Sequence, residues 1–121
     1  MRLISRKTPK NMVQQLSIEK IRTHLAEQFS LPTEQIETLM PSFIAALSSH
    51  MQNLENALEQ NNPLLLGKAG HTIKGAFLNL GLGDCATVAM RIEERGKQGD
   101  TSIDYRSLVE DLRVRIKPLL R

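Results

Sequence analysis

The chain has 121 residues, of which 40% are apolar, enough for one globular domain with a modest core. No apolar run approaches the roughly eighteen residues a membrane crossing needs. The basic start MRLISRKTPK leads into no apolar segment and so does not read as a secretory signal, and the expectation is a cytoplasmic protein. The net charge of +3 points toward nucleic acid, but Arg2, Arg6, Lys7 and Lys10 carry it; without those four of the sixteen basic residues, twelve face thirteen acidic ones. With aromatic residues at 3%, stacking platforms are scarce, so no nucleic-acid partner is expected.

In chain order, residues 1–14 read as a flexible basic arm and 15–121 as the folded domain. Ile18, Ile21, Leu25 and Phe29 recur at helical spacing and form a first apolar stripe. Ser30-Leu-Pro-Thr breaks it, and Thr33 is placed to cap the next helix. A second stripe runs through Ile36, Met40, Phe43, Leu47, Leu54 and Leu58, with Pro41 inside it, where the helix either kinks or restarts. Asn62 then Pro63 reads as an N-cap followed by proline at the first helical position. The third helix runs over about 63–80, and Gly81 ends it in a left-handed conformation. Gly83-Asp84 is expected to cap a fourth helix carried by Leu82, Cys85, Ala89 and Ile92, ending between Gly96 and Gly99. Asp100 to Asp104 offers caps for a fifth, with Tyr105, Leu108, Leu112, Ile116 and Leu119 inward and Pro118 fraying its last turn. No strand signal and no internal repeat is present. Short connections make neighbouring helices antiparallel. The expectation is an all-α protein: an antiparallel up-down four-helix bundle from residue 32 onward, with an additional N-terminal helix lying across it.

The third helix carries the chemistry. At about 100° per residue, Leu66, Ala69, Ile73, Phe77 and Leu80 share one arc, the core side. His71 falls nearly opposite, in water, with Lys74 and Leu78 on the same outer half and Gly67 and Gly75 one turn to either side. Each interior glycine disfavours a helix by about 0.8–1 kcal/mol relative to alanine, so Gly67, Gly70 and Gly75 together cost about 2–3 kcal/mol. Gly70 borders the core arc and has a packing reason. Gly75 has only a poor one, because its missing side chain would point outward. Helical side chains lean toward the N-terminus, so a large residue at 75 would cover the imidazole at 71. Glycine there leaves a ring nitrogen open to something bulky, such as another protein's active site.

An imidazole in water is largely neutral and nucleophilic near pH 7. A lysine one turn away supplies the positive charge that a transferring phosphoryl group needs. Lys68, Arg91, Arg95 and Lys97 add to a positive field at this end of the bundle, Lys68 and Arg91 being candidate binding residues. There is no glycine-rich nucleotide loop, and no Ser/His/Asp-like set accompanies the histidine. The site can accept and pass on a phosphoryl group but has no means of drawing one from ATP, so it is expected to lack kinase activity of its own. The histidines at 24, 50 and 71 have no metal-ligand spacing, and no metal or cofactor is expected; His24 and His50 read as surface or partly buried helix residues and Cys85 as a small core hydrophobe.

His71-Thr-Ile-Lys74-Gly75-Ala76, continuing to Leu80-Gly81-Leu82, resembles the signature of histidine-containing phosphotransfer (HPt) domains of bacterial phosphorelays, over roughly residues 32–120. The resemblance implies a monomeric helical bundle displaying one histidine. That histidine takes a phosphoryl group from an aspartate on one receiver domain and delivers it to an aspartate on another, with a hybrid sensor kinase as a further partner and Mg2+ belonging to the receiver. Carried over by position, His71 is the phospho-acceptor, Lys74 balances phosphate charge and Gly75 clears the approach. Glu93, on the following helix, matches the polar residue that orients the imidazole. Phe77 and Leu78 depart from the small residues usual there; Phe77 belongs to the core arc, and exposed Leu78 is a candidate apolar contact for the receiver. Length and the initial methionine favour a free-standing protein over a domain of a larger sensor. The competing readings are a non-catalytic helical adaptor, which has no need of an open imidazole, and a nucleic-acid module using the basic arm, whose affinity would depend steeply on salt.

Overall fold

A computed structural model describes the backbone of residues 10–120 and the side chains of residues 18–120. Five helices follow one another: α1 (Lys10–Phe29), α2 (Thr33–Glu59), α3 (Pro63–Asn79), α4 (Gly83–Lys97) and α5 (Tyr105–Ile116), closed by a 3₁₀ turn over Lys117–Leu120. No strand occurs among the described residues. The helix α3 packs against α2 and α4, and α5 packs against the same two, so α2 to α5 close a four-helix ring. The remaining helix, α1, lies on α2 and the 3₁₀ turn. Of the arm expected over residues 1–14, residues 1–9 lie outside the described residues, and residues 10–14 already belong to α1.

The core is the meeting of the expected stripes. Ile21 and Leu25 from α1, Leu47 and Leu54 from α2, Ile73 and Phe77 from α3, Ile92 from α4, and Leu112 and Ile116 from α5 are all buried. Met51, Ala57 and Val109 join them, although the stripes had not included them. Phe29 is the exception in the other direction: it is the last residue of α1 and stands 48% exposed. Cys85 is buried, and burial raises the pKa of its thiol, as suits a packing residue rather than a reactive one.

Helix ends explain the connections. Three of them close by the same backbone device, in which a residue of positive φ lets two N–H groups turn back onto the last free carbonyls. At the end of α3, Gly81 (φ 76) donates to Leu78 O at 3.2 Å and Leu82 to Phe77 O at 2.8 Å. Asn61 (φ 52) and Gly99 (φ 68) close α2 and α4 likewise. The cap of α3 is as expected: the Asn62 side chain accepts from Leu65 N at 3.2 Å, with Pro63 in the first turn. Asp104 caps α5 in the same way, accepting from Ser107 N at 3.0 Å.

Two expected caps are corrected. Pro32, not Thr33, is the N-cap of α2; its carbonyl accepts from Gln35 N and Ile36 N, and no side chain caps the helix. Leu82, not Gly83-Asp84, is the N-cap of α4. Leu82 is still closing α3 through its own N–H when its carbonyl begins α4, accepting from Ala86 N at 3.0 Å. The connection is too short for a separate capping side chain. Asp84 falls in the first turn, where a negative charge still suits the helix dipole. Pro41 is exposed, and α2 runs through it without restarting.

Candidate functional site

Helices α3 and α4 lie unusually close, and glycine is the reason. A Cβ on Gly67 would stand 2.8 Å from Lys97 N, and one on Gly96 would stand 2.5 Å from both Gly67 N and Pro63 O. A Cβ on Gly70 would meet Glu93 N at 3.0 Å and Ala89 O at 3.1 Å. The register runs in opposite directions along the two helices, 67 beside 97 and 70 beside 89–93, as antiparallel packing requires. Gly67 and Gly70 are therefore spent on backbone contact, a role expected for Gly70 and missed for Gly67. Gly75 differs: a Cβ there would meet nothing within 4 Å.

The close crossing brings a carboxylate from α4 under the imidazole of α3. His71 projects into water with its side chain 63% exposed, as its position opposite the core arc requires. Its Nδ1 lies 2.8 Å from Oε2 of Glu93. Glu93 is the one buried charged residue among those described, 6% exposed. An ionised carboxylate only accepts, so Nδ1 carries a proton, and in the neutral ring Nε2 keeps its lone pair. Among the described residues the ring makes no second hydrogen bond. The imidazole is thus fixed in tautomer and orientation on one side and open on the other.

Two ammonium groups hold the same carboxylate. Lys74 Nζ lies 2.7 Å from Glu93 Oε1, a close ion pair whose angles depart from those of a hydrogen bond. Lys97 Nζ donates to Oε2 at 2.9 Å. Together they hold the Glu93 carboxyl down at about 2, Lys74 first, against the desolvation that pushes it up, with Lys97 and His71 adding to the depression. Glu93 is therefore a buried anion at neutral pH, with each oxygen facing a cation.

The other candidates fall differently. Leu78 is 54% exposed, two turns beyond His71 on nearly the same line of α3. Leu64, seven residues before His71, is 58% exposed on that line and had escaped notice. Lys68 is exposed beside the groove where α3 meets α2, near Asn53, Asn56 and Thr72. Arg91 is exposed on α4, about 160° around the helix from Glu93 at about 100° per residue. Neither joins the cluster, and Arg95 turns instead toward Asp100 at 3.5 Å. Beyond Lys74, the cation that joins the cluster is Lys97, and its spacing of four from Glu93 was the signal in the sequence. No group of three or more His, Cys, Asp or Glu placed to hold a metal ion occurs among the described residues. Nor is any helix among them long and apolar enough to cross a membrane.

An open imidazole with a fixed tautomer, beside cations and below bare helix, is suited to phosphoryl exchange with a second protein. The family comparison agrees. Residues 38–116 match the Hpt domain family, and the chain belongs to it. It is therefore a phosphotransfer module of phosphorelays, a class that works with response-regulator receiver domains. Comparison with curated proteins and with solved structures gives no match.

Proposed function

We propose that His71 accepts a phosphoryl group from an aspartyl phosphate on one receiver domain and passes it to an aspartate on another. The Nε2 lone pair attacks phosphorus as the P–O bond to the receiver's aspartate breaks, and that aspartate leaves as a carboxylate. The Nδ1 proton stays on the ring, held by Glu93, so no base need act. Delivery is the reverse step on a second receiver, and each receiver would bring its own Mg2+ to the step in which it takes part. Lys74 offsets phosphoryl charge, and the space over Gly75 admits the receiver's active site. Leu64 and Leu78, one on either side of His71 along the docking helix, meet apolar side chains of the receiver. In this reading the protein acts in the cytoplasm as a monomer.

The observation that carries the proposal is the pairing of a solvated imidazole with a buried, ionised Glu93 at 2.8 Å. The alternative, a helical adaptor that binds without phosphorylation, gives no reason to bury a carboxylate beneath an exposed ring. A panel of receivers charged with radiolabelled acetyl phosphate tests it: label reaches the wild-type chain and not His71→Gln. In the same panel Leu78→Ala is expected to slow transfer from its receiver several-fold, and an unchanged rate removes Leu78 from the docking surface.

A further inference from the structure

The tightest contacts between α3 and α4 fall at the turn of α4 that carries Glu93. A Cβ on Gly96 would stand 2.5 Å from Gly67 N and Pro63 O and 2.6 Å from Gly67 Cα. One on Gly67 would stand 2.8 Å from Lys97 N, 3.0 Å from Gly96 C and 3.2 Å from Glu93 O. All of these atoms are backbone, which cannot swing aside as a side chain can. Nearer the α3–α4 connection, α4 buries Ala86 and Ala89, which keep their methyls. Glycine is thus concentrated where the carboxylate leaves α4, although it disfavours both helices relative to alanine. Glu93 lies three residues before Gly96, and His71 four residues after Gly67, each about one turn away. The gap at this crossing therefore sets how far the carboxylate stands from the ring.

We propose that Gly67 and Gly96 are positioning residues for phosphoryl transfer: by letting the two backbones touch, they hold Glu93 against His71 and so keep the imidazole in the tautomer that reacts. This rests on the assignment of His71 as phospho-acceptor. An alanine at either position forces the backbones apart, by about 1 Å at Gly96 to reach ordinary contact. The contact of Nδ1 with Oε2, at 2.8 Å, then leaves the hydrogen-bonding range. Lys74 lies on α3 with the ring and pairs with Oε1 at 2.7 Å, so a receding carboxylate stays with this ammonium rather than with a neutral N–H. Released, the ring is free to carry its proton on Nε2 instead, where no lone pair then remains to attack phosphorus.

Two readouts test the inference without any receiver. The nitrogen resonances of the neutral His71 ring tell a protonated nitrogen from a bare one. Phosphoramidate reports reactivity: its P–N bond breaks as the bond to Nε2 forms, and ammonia leaves. Both are recorded for wild type, Gly67→Ala, Gly96→Ala and, as a core variant of lowered stability away from the crossing, Val109→Ala on α5, with His71→Gln as the blank. Gly67→Ala, the milder of the two glycine variants, reads the effect where Gly96→Ala does not fold. The glycine variants are expected to shift the ring toward the Nε2–H tautomer and to form phosphohistidine about three- to tenfold more slowly, the part of a charge-assisted hydrogen bond that such a displacement gives up. Val109→Ala should keep both wild-type properties. In a Glu93→Ala background the glycine substitutions should slow the reaction no further, because they act through the carboxylate. Wild-type tautomer and rate in a folded Gly67→Ala or Gly96→Ala overturn the proposal, as does an equal loss in Val109→Ala or an undiminished effect without Glu93. A wild-type His71 that reacts with phosphoramidate in the expected pattern but takes nothing from any receiver supports the role of the glycines and removes the receiver assignment instead.

Discussion

Glu93 is the residue on which the site turns, because burial and ionisation pull it in opposite directions. Burial alone would raise its pKa, and two lysines and an imidazole N–H overcome that. The folded-state value, about 2, lies below the ordinary 4.5, so ionised Glu93 stabilises the fold. That contribution is fully present above about pH 4.5 and is lost as the pH falls through about 2. Glu93→Gln, which keeps an acceptor for Nδ1–H but carries no charge, is expected to lose less stability than wild type over that window. Urea titrations of both proteins between pH 2 and pH 6 check this. Parallel curves would mean that the carboxylate is not held down by its neighbours. The presence of Glu93 beside His71 was legible in the sequence only through the family resemblance, since nothing in the spacing of residues 71 and 93 says that two helices approach closely enough to join them.

At the scale of the helix, the glycines of α3 separate into two kinds. Gly67 and Gly70 touch the backbone of α4, whereas Gly75 faces open space. The same substitution should therefore have opposite signs about two turns apart on one helix. Gly75→Ala is expected to raise stability by about 0.8–1 kcal/mol, the propensity difference alone. Gly67→Ala must push α4 away from a Cβ placed 2.8 Å from Lys97 N, and is expected to lower stability by about 1–3 kcal/mol despite better propensity. Denaturant midpoints of the two variants decide it, and loss of stability in both would mean that Gly75 has a packing role. The helices themselves were legible: their apolar spacing, Asn62-Pro63 and Gly81 were enough to place α3 and the bundle. What failed were ends whose chemistry is shared. Thr33 and Asp84 are good capping residues by type, but the backbone of Pro32 and Leu82 already does the work. The pairing of Lys97 with Glu93 is local, a spacing of four on α4, but its nearness to the imidazole depends on Gly96 and Gly67 meeting across the interface, which no local pattern shows.

At the scale of the molecule, four helices make a rigid support and one face of α3 makes the site. The family match covers residues 38–116, and α1 lies before it, yet Ile21 and Leu25 are as buried as any residue of the bundle. The helix is part of the core of this chain and not an appendage to it. His71 contributes its ring to none of that packing, so its removal should leave the support intact. The direct measurement is therefore made on His71→Gln beside wild type, recording thermal unfolding and the label acquired from phosphorylated receiver domains. The expected result is an unchanged melting temperature, within the effect of a surface substitution, and complete loss of label. Label persisting on His71→Gln at the wild-type level would place the phosphoryl group elsewhere and contradict the central claim.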